Sequence, residues 1–194
     1  MLRPDPHAQR PPAAQRALEA GIMAGLAAAV PAGLLVMIAT AAWRHEGFFT
    51  PAYRVVAVLD PGPLRVSLEE AAVGSPFYAD QQPLVAGCGA HLAVGCFFGV
   101  VFALLARALR PRGVAALALG LAYGLAVMAF MALAGLPLIE RLLGGGEAIS
   151  GLPGALGWPV FAAGHVVYGL ALGAWLLLRP DDLATAEEEP VPGA

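Results

Sequence analysis

Four long apolar stretches constrain the fold of this chain more than any other feature of its sequence. They cover about residues 17–43, 84–105, 114–136 and 156–178. An α-helix needs roughly 20 apolar residues to cross the hydrocarbon core of a bilayer, and each stretch reaches that length. Only 13% of the 194 residues are charged, which is about half the share in a soluble domain. The sequence therefore predicts an all-α membrane protein whose transmembrane domain, residues 17–179, is a four-helix bundle.

Two polar tails flank the predicted bundle. Residues 1–16 are rich in proline and arginine and lack apolar periodicity, which predicts a disordered tail. Residues 180–194 carry a run of acidic side chains, and such a run is typical of a solvated segment. We expect both tails to be cytoplasmic. The net charge of -3 favours no nucleic-acid partner.

The longest polar connection, residues 44–83, contains signals for short helices. Thr50-Pro51 matches the cap and first turn of a helix, and we expect a short amphipathic helix lying on the membrane surface there. Ser67-x-x-Glu70 matches a capping box and predicts a second short helix that ends near Gly74. A loop of this length with its own helices forms either a cap over the bundle or an interaction surface.

The distribution of arginines predicts the orientation of the chain. With the N-terminus inside, the cytoplasmic segments hold seven arginines and the opposite side holds four. Arginine is enriched in the cytoplasmic loops of membrane proteins, so both termini should be cytoplasmic and the 44–83 loop extracytoplasmic. We expect a multi-pass protein of the bacterial cytoplasmic (inner) membrane. The seven are Arg3, Arg10, Arg16, Arg107, Arg110, Arg112 and Arg179; the four are Arg44, Arg54, Arg65 and Arg141.

The second and fourth apolar stretches share a ladder of one histidine followed by two glycines at four-residue spacing. The two ladders lie 74 residues apart, and the first and third stretches share a Gly-x3-Gly pair in the same way. Residues four apart lie on one face of a helix, where glycine lets a neighbouring backbone approach closely. The sequence therefore predicts two tandem helical hairpins, a parallel internal repeat, packed through eight glycines. These are Gly21, Gly25, Gly95, Gly99, Gly120, Gly124, Gly169 and Gly173, and the ladder histidines are His91 and His165.

The fourth stretch opens with Ala163-Gly164-His165-Val166-Val167-Tyr168-Gly169. In this signature the chain resembles small, uncharacterised bacterial inner-membrane proteins with four helices and a His-x-x-Tyr-Gly signature in the last one. The resemblance covers the four helices, about two thirds of the chain. It implies the fold and the location, and it implies no activity.

His91 and His165 are the candidate site residues, because ionisable side chains near the middle of spanning helices are functional candidates. If the repeat is symmetric, they lie at matching depths and face each other. We expect them to act as neutral hydrogen-bonding residues that bridge the two hairpins, each bonding to the other histidine, to Thr40 or to a main-chain carbonyl. One alternative is a b-type haem with both histidines as axial ligands and Arg44 or Arg54 near the propionates. Another is a proton or small-substrate pathway.

No Gly-rich phosphate loop, Cys-x-x-Cys pair or catalytic constellation stands in the sequence. We therefore expect a non-enzymatic structural or interaction protein without a metal site. Its expected partners are the lipid bilayer and either a membrane protein or further copies of the same chain.

Overall fold

The computed structural model describes residues 13–143 and 147–178, and every regular element within those ranges is helical. Four units in this part of the chain are long and apolar enough to cross a membrane: α1, α4, the continuous α5–α6 unit and α9. The prediction of an all-α, four-helix membrane bundle is confirmed. The elements are α1 (Ala13–Arg44), α2 (Thr50–Val56), α3 (Gly62–Ala72), α4 (Gln81–Leu109), α5 (Val114–Phe130), a π-helical turn (Met131–Gly135), α6 (Leu136–Leu143), α7 (Glu147–Ser150), α8 (Leu152–Leu156) and α9 (Trp158–Leu178).

Two predicted segments fall largely outside the described residues. The C-terminal tail, residues 180–194, lies wholly outside them, and of the N-terminal tail only residues 13–16 are described, as the start of α1. The 44–83 loop contains α2 and α3, in agreement with the expected short helices.

The third spanning helix continues past its expected end. We expected it to stop near residue 136, because Pro137 follows. The helix instead widens into the π-helical turn and runs on as α6 to Leu143. Proline has no N–H to donate to the carbonyl four residues earlier, and a wider turn accommodates that lost hydrogen bond. Proline therefore lies inside this helix, as Pro31 lies inside α1.

Glycines bring α1 and α4, the first hairpin, into backbone contact. A Cβ atom on Gly99 would collide with the carbonyl oxygen of Gly21 and the Cα of Gly25. A Cβ on Gly95 would lie 2.6 Å from the Cβ of Ala29, one turn further along α1. The two helices run antiparallel and touch along at least three turns.

The second hairpin, α5 with its continuation and α9, uses glycine in the same way. A Cβ on Gly169 would collide with the carbonyl oxygen of Gly120 and lie 3.0 Å from the Cα of Gly124. A Cβ on Gly173 would lie 2.7 Å from the carbonyl oxygen of Ala116. All eight glycines singled out in the sequence thus lie in contacts within a hairpin.

The two hairpins pack on each other chiefly through α1 and α9. The core between them is fully buried at Ala28 and Leu172 and almost fully at Phe102. The α4 and α5 helices contact each other much less, and aromatic rings lie between them. Phe102 lies 5.1 Å from Tyr123, measured between ring centroids.

Residues 45–80, which we call the cap, are fixed to both hairpins. The backbone of α2 lies directly on α4, because a Cβ on Gly87 would collide with the carbonyl group of Ala52. Val58, just after α2, packs against a second apolar cluster built mainly by the second hairpin. The α2 helix and the residues that follow it therefore pack against both hairpins at this end of the bundle. The buried members of that second cluster are Leu136, Ile149, Leu152, Leu156 and Phe161.

Thr50 and Ser67 do not act as the helix caps that the sequence predicts. Phe49 precedes α2 without a side-chain cap, and α3 begins at Gly62, five residues before Ser67. Both hydroxyl groups are buried, and they bond each other at 2.8 Å. A buried hydroxyl needs a hydrogen-bond partner. Thr50 and Ser67 are each other's partner, and their bond joins α2 to α3.

Candidate functional site: polar side chains inside the bundle

His91 bonds to α1, the other helix of its own hairpin. Its Nε2 lies 3.0 Å from the carbonyl oxygen of Ala29. Because a carbonyl only accepts, Nε2 carries the proton in this bond. The ring lies over Gly33, where a Cβ would be 3.0 Å from Nε2. Glycine at this position therefore makes room for the imidazole.

His165 bonds within its own helix. Its Nδ1 lies 2.8 Å from the carbonyl oxygen of Phe161, one turn earlier in α9. The imidazole also packs 4.5 Å from the Phe161 ring, measured between centroids. The hydrogen bond of His165 therefore links it to no other helix.

Neither histidine bond joins the two imidazoles to each other. His91 is tied to Ala29 and His165 to Phe161. The expectation that these histidines bridge the two hairpins is therefore wrong for the hydrogen bonds that the structure gives them. Each histidine bonds instead to a main-chain carbonyl of its own hairpin.

Tyrosines make the bonds between the hairpins instead. The hydroxyl of Tyr168 on α9 donates to the carbonyl oxygen of Gly95 on α4 at 2.6 Å. The hydroxyl of Tyr123 on α5 donates to the carbonyl oxygen of Phe98, also on α4, at 2.7 Å. Both helices of the second hairpin thus reach the same helix of the first, within one helical turn.

Sequence reasoning missed Tyr123 and Tyr168, although a signal was present. Each stands near the middle of a long apolar stretch. A buried phenol needs a hydrogen-bond partner, just as an imidazole does. Tyr168 even belongs to the signature that carries the family resemblance, but the ionisable histidine three residues earlier drew the functional interpretation.

The two histidines also hold different places in the packing. Gly169 meets Gly120 and Gly124 as Gly99 meets Gly21 and Gly25. The sequence ladder, however, pairs Gly99 with Gly173, four residues later. The second hairpin is therefore packed one helical turn out of step with the ladder.

That offset removes the expected symmetry of the site. In packing terms the counterpart of His91 is Phe161, and the counterpart of His165 is Gly95. The ladder alone predicted equivalent places for the two histidines, and the contacts of the glycines show that each histidine holds a different place within its own hairpin.

At the cap end, Arg44 and Arg54 are ion-paired. Glu46 accepts from Arg54 at 2.8 Å and from Arg44 at 3.3 Å through the same oxygen. The Glu46 and Arg54 side chains are only 12% and 14% exposed, and the Oε2 of Glu46 and the Nε of Arg54 lie buried without a partner. These arginines, one of which the haem alternative places near the propionates, are held by Glu46.

The four long apolar helices among the described residues define a multi-pass integral membrane protein. Comparison of the chain with family models, with curated proteins and with solved structures finds no match.

Proposed function

We propose that the protein is a non-enzymatic structural or interaction protein of the bacterial cytoplasmic membrane, with both termini in the cytoplasm. It would belong with the small four-helix membrane proteins that share its His-x-x-Tyr-Gly signature. One observation carries the proposal. Four large polar side chains inside the bundle, His91, Tyr123, His165 and Tyr168, each bond to a main-chain carbonyl group of the protein itself. Such bonds stabilise helix packing in membranes, by about 0.6 kcal/mol on average.

The haem alternative has less support. A haem between α4 and α9 needs both imidazoles turned away from Ala29 and Phe161. One turn further along the same two helices, Tyr168 bonds Gly95 at 2.6 Å. A porphyrin is wider than one helical turn, so it would have to displace this bond.

The transport alternative also lacks a favourable observation. The middle of the bundle is filled by Phe102, Tyr168 and Leu172, each less than a tenth exposed. A cavity near Ala24 and Trp175 has a volume of about 10 Å³ and an apolar lining. A single water needs at least that much space and polar partners as well.

The rigid attachment of the cap supports an interaction role. The ion pair of Glu46 and Arg54, the hydroxyl pair of Thr50 and Ser67 and the backbone contact at Gly87 all fix its position. The exposed Arg65–Glu69 pair on α3 gives it a polar face. A fixed surface of this kind lets a membrane partner bind without the cost of ordering a flexible loop.

Photo-crosslinking in cells tests the interaction role. A photoreactive amino acid replaces Glu69 on the cap and, as the matched control, Leu133 on the exposed face of the third spanning helix. We expect a protein adduct of discrete mass from position 69 and lipid adducts alone from position 133. Equal absence of protein adducts at both positions would argue against a partner at the cap.

The visible absorption spectrum tests the same proposal against haem. Protein purified from cells supplied with haem precursor should show no Soret band. A low-spin band that disappears in both His91→Ala and His165→Ala would overturn the non-enzymatic proposal and make the protein an electron carrier.

Reporter fusions test the orientation. A fusion at Pro111, in the turn between α4 and α5, should report a cytoplasmic location, and a fusion at Gly74, in the cap, an extracytoplasmic one. The reverse pattern would place both termini outside the cytoplasm.

A further inference from the structure

The depth of the cap follows from contacts between α1 and α4. Their antiparallel contacts pair Gly21 with Gly99, Ala29 with Gly95, and the turn of Ala29 and Gly33 with His91. Continued by one more turn, this register sets Gly87 level with the α1 residues just after Gly33. Gly87 carries α2, through Ala52.

The membrane boundary at this end is marked by tryptophan. Trp43 near the end of α1 is 75% exposed, and Trp158 at the start of α9 is 56% exposed. Exposed tryptophans at the ends of spanning helices lie at the level of the lipid headgroups. Gly87 is level with α1 residues about seven positions before Trp43, which is roughly 10 Å nearer the bilayer centre at 1.5 Å per residue.

Most polar groups of α2 have partners within the protein, the exception being the buried Nε of Arg54. Thr50 bonds Ser67, Arg54 pairs with Glu46, and the Tyr53 hydroxyl accepts from the backbone N–H of Asp80 at 2.8 Å. Backbone and side-chain polar groups at membrane depth are tolerated where the protein itself satisfies them. The first turn of α2 is also fully buried, with Thr50 and Tyr53 both inaccessible to solvent.

The remainder of the cap exposes large apolar side chains. Leu59, Val73 and Phe77 are 73%, 79% and 70% exposed. They flank the two ends of α3, whose middle turns carry the exposed ion pair of Arg65 and Glu69. Apolar side chains this exposed are unfavourable in water and favourable in lipid, because removing apolar surface from water lowers the free energy.

We propose that the cap is a re-entrant element rather than a loop above the membrane. Its α2 is wedged between the hairpins below the level of Trp43 and Trp158, and its exposed Leu59, Val73 and Phe77 enter the phospholipid leaflet on the cap side. The occupant of this apolar surface is lipid. The proposal concerns the depth of the cap and holds for either orientation of the chain.

Spin-label accessibility in phospholipid vesicles tests this depth. Single cysteines replace Leu59, Val73 and Phe77 in a Cys88→Ala, Cys96→Ala background. The matched controls are Arg65→Cys and Glu69→Cys, which are exposed positions on the same cap. Phe97→Cys in the middle of α4, which is 63% exposed, serves as the lipid reference. Power saturation with oxygen, which partitions into lipid, and with a water-soluble nickel chelate reports the surroundings of each label.

The expected oxygen-to-nickel accessibility ratio at the three apolar positions matches that at position 97 and exceeds the ratios at the two controls several-fold. A nickel accessibility equal to that of the controls at any of the three positions would overturn the proposal, because that residue would then face water. Low accessibility to both reagents would overturn it as well, since a protein partner or second copy would then cover the surface. The latter result would leave the interaction role of the cap intact, so the two proposals fail separately.

Discussion

Both hairpins are held together by glycines packed against the backbone of the other helix, but the two hairpins differ in register. In the first, Gly99 meets Gly21 and Gly25; in the second, Gly169 meets Gly120 and Gly124. The ladders in the sequence would have paired Gly99 with Gly173 instead. The glycines of a four-residue ladder are interchangeable as contact surfaces, so a ladder fixes which face packs and leaves the register open by whole turns.

The one-turn difference in helix register between the two hairpins explains why the cap is attached to the first of them. In packing terms the counterpart of Gly87 is Gly157, which precedes α9 in a backbone conformation of φ +88°. Counted from the equivalent glycines Gly99 and Gly169, α4 begins about two turns earlier than α9, at Gln81 rather than Trp158. Those extra turns carry the contact with α2. Near-identical local patterns thus produce one hairpin that binds the cap through a helix and one that ends in a turn.

Replacing a contact glycine in either hairpin with a large residue should have the largest effect on stability. Gly169→Leu places a side chain against the Gly120 carbonyl and should destabilise the fold by about 3 kcal/mol, at the upper end of overpacking costs. Gly99→Leu, its packing counterpart, should cost a similar amount, measured as thermal unfolding in detergent. Gly89→Leu is the control, because nothing lies within 4 Å of a Cβ there. Wild-type stability of the first two variants would place these glycines toward lipid.

A substitution at Gly87 should separate the cap from the hairpins. Gly87→Val would push α2 away from α4 and should cost about 2 kcal/mol as an overpacked contact. Trypsin cleavage at Arg54 and Arg65 should become faster, while the hairpins unfold at a temperature closer to wild type than in Gly169→Leu. Gly89→Val again provides the control. Unchanged cleavage would show that the cap does not rest on Gly87.

The bonds between the hairpins should be weaker than the glycine contacts. Tyr168→Phe and Tyr123→Phe each remove one hydroxyl and keep the ring, and each should cost about 1 kcal/mol. The double variant should lose more than either single variant, measured by unfolding in detergent, and any departure from the sum reports coupling of the two bonds through α4. A double variant as stable as wild type would leave the α1–α9 contact as the only significant joint.

The smallest effect should come from the histidines. His91→Phe and His165→Phe keep the rings and remove the polar atoms. Each should cost about 0.6 kcal/mol or less, because these bonds lie within a hairpin or within one helix. The same unfolding measurement checks this order. A larger loss in His165→Phe than in Tyr168→Phe would restore the histidine as the residue that joins the hairpins.

Much of the site was visible in the sequence, but its partners were not. Both histidines were identified because an ionisable side chain in an apolar stretch has no trivial explanation. Their bonds to Ala29 and Phe161 use main-chain carbonyls, and every residue has one, so no residue pattern indicates which will be chosen. The same holds for Tyr168 and Gly95.

The sequence by itself determined the class of this protein, because hydrophobicity summed over some 20 residues fixes a spanning helix whatever its neighbours are. It also determined which faces are lined with glycine. Tertiary structure alone decided the one-turn difference between the internal registers of the two hairpins, the bonds from Tyr123 and Tyr168 to α4, and the packing of α2 against Gly87. Each of these depends on how whole surfaces fit together, and neighbouring turns of a small-residue ladder offer nearly the same local contact, so only the packing of all the helices selects one.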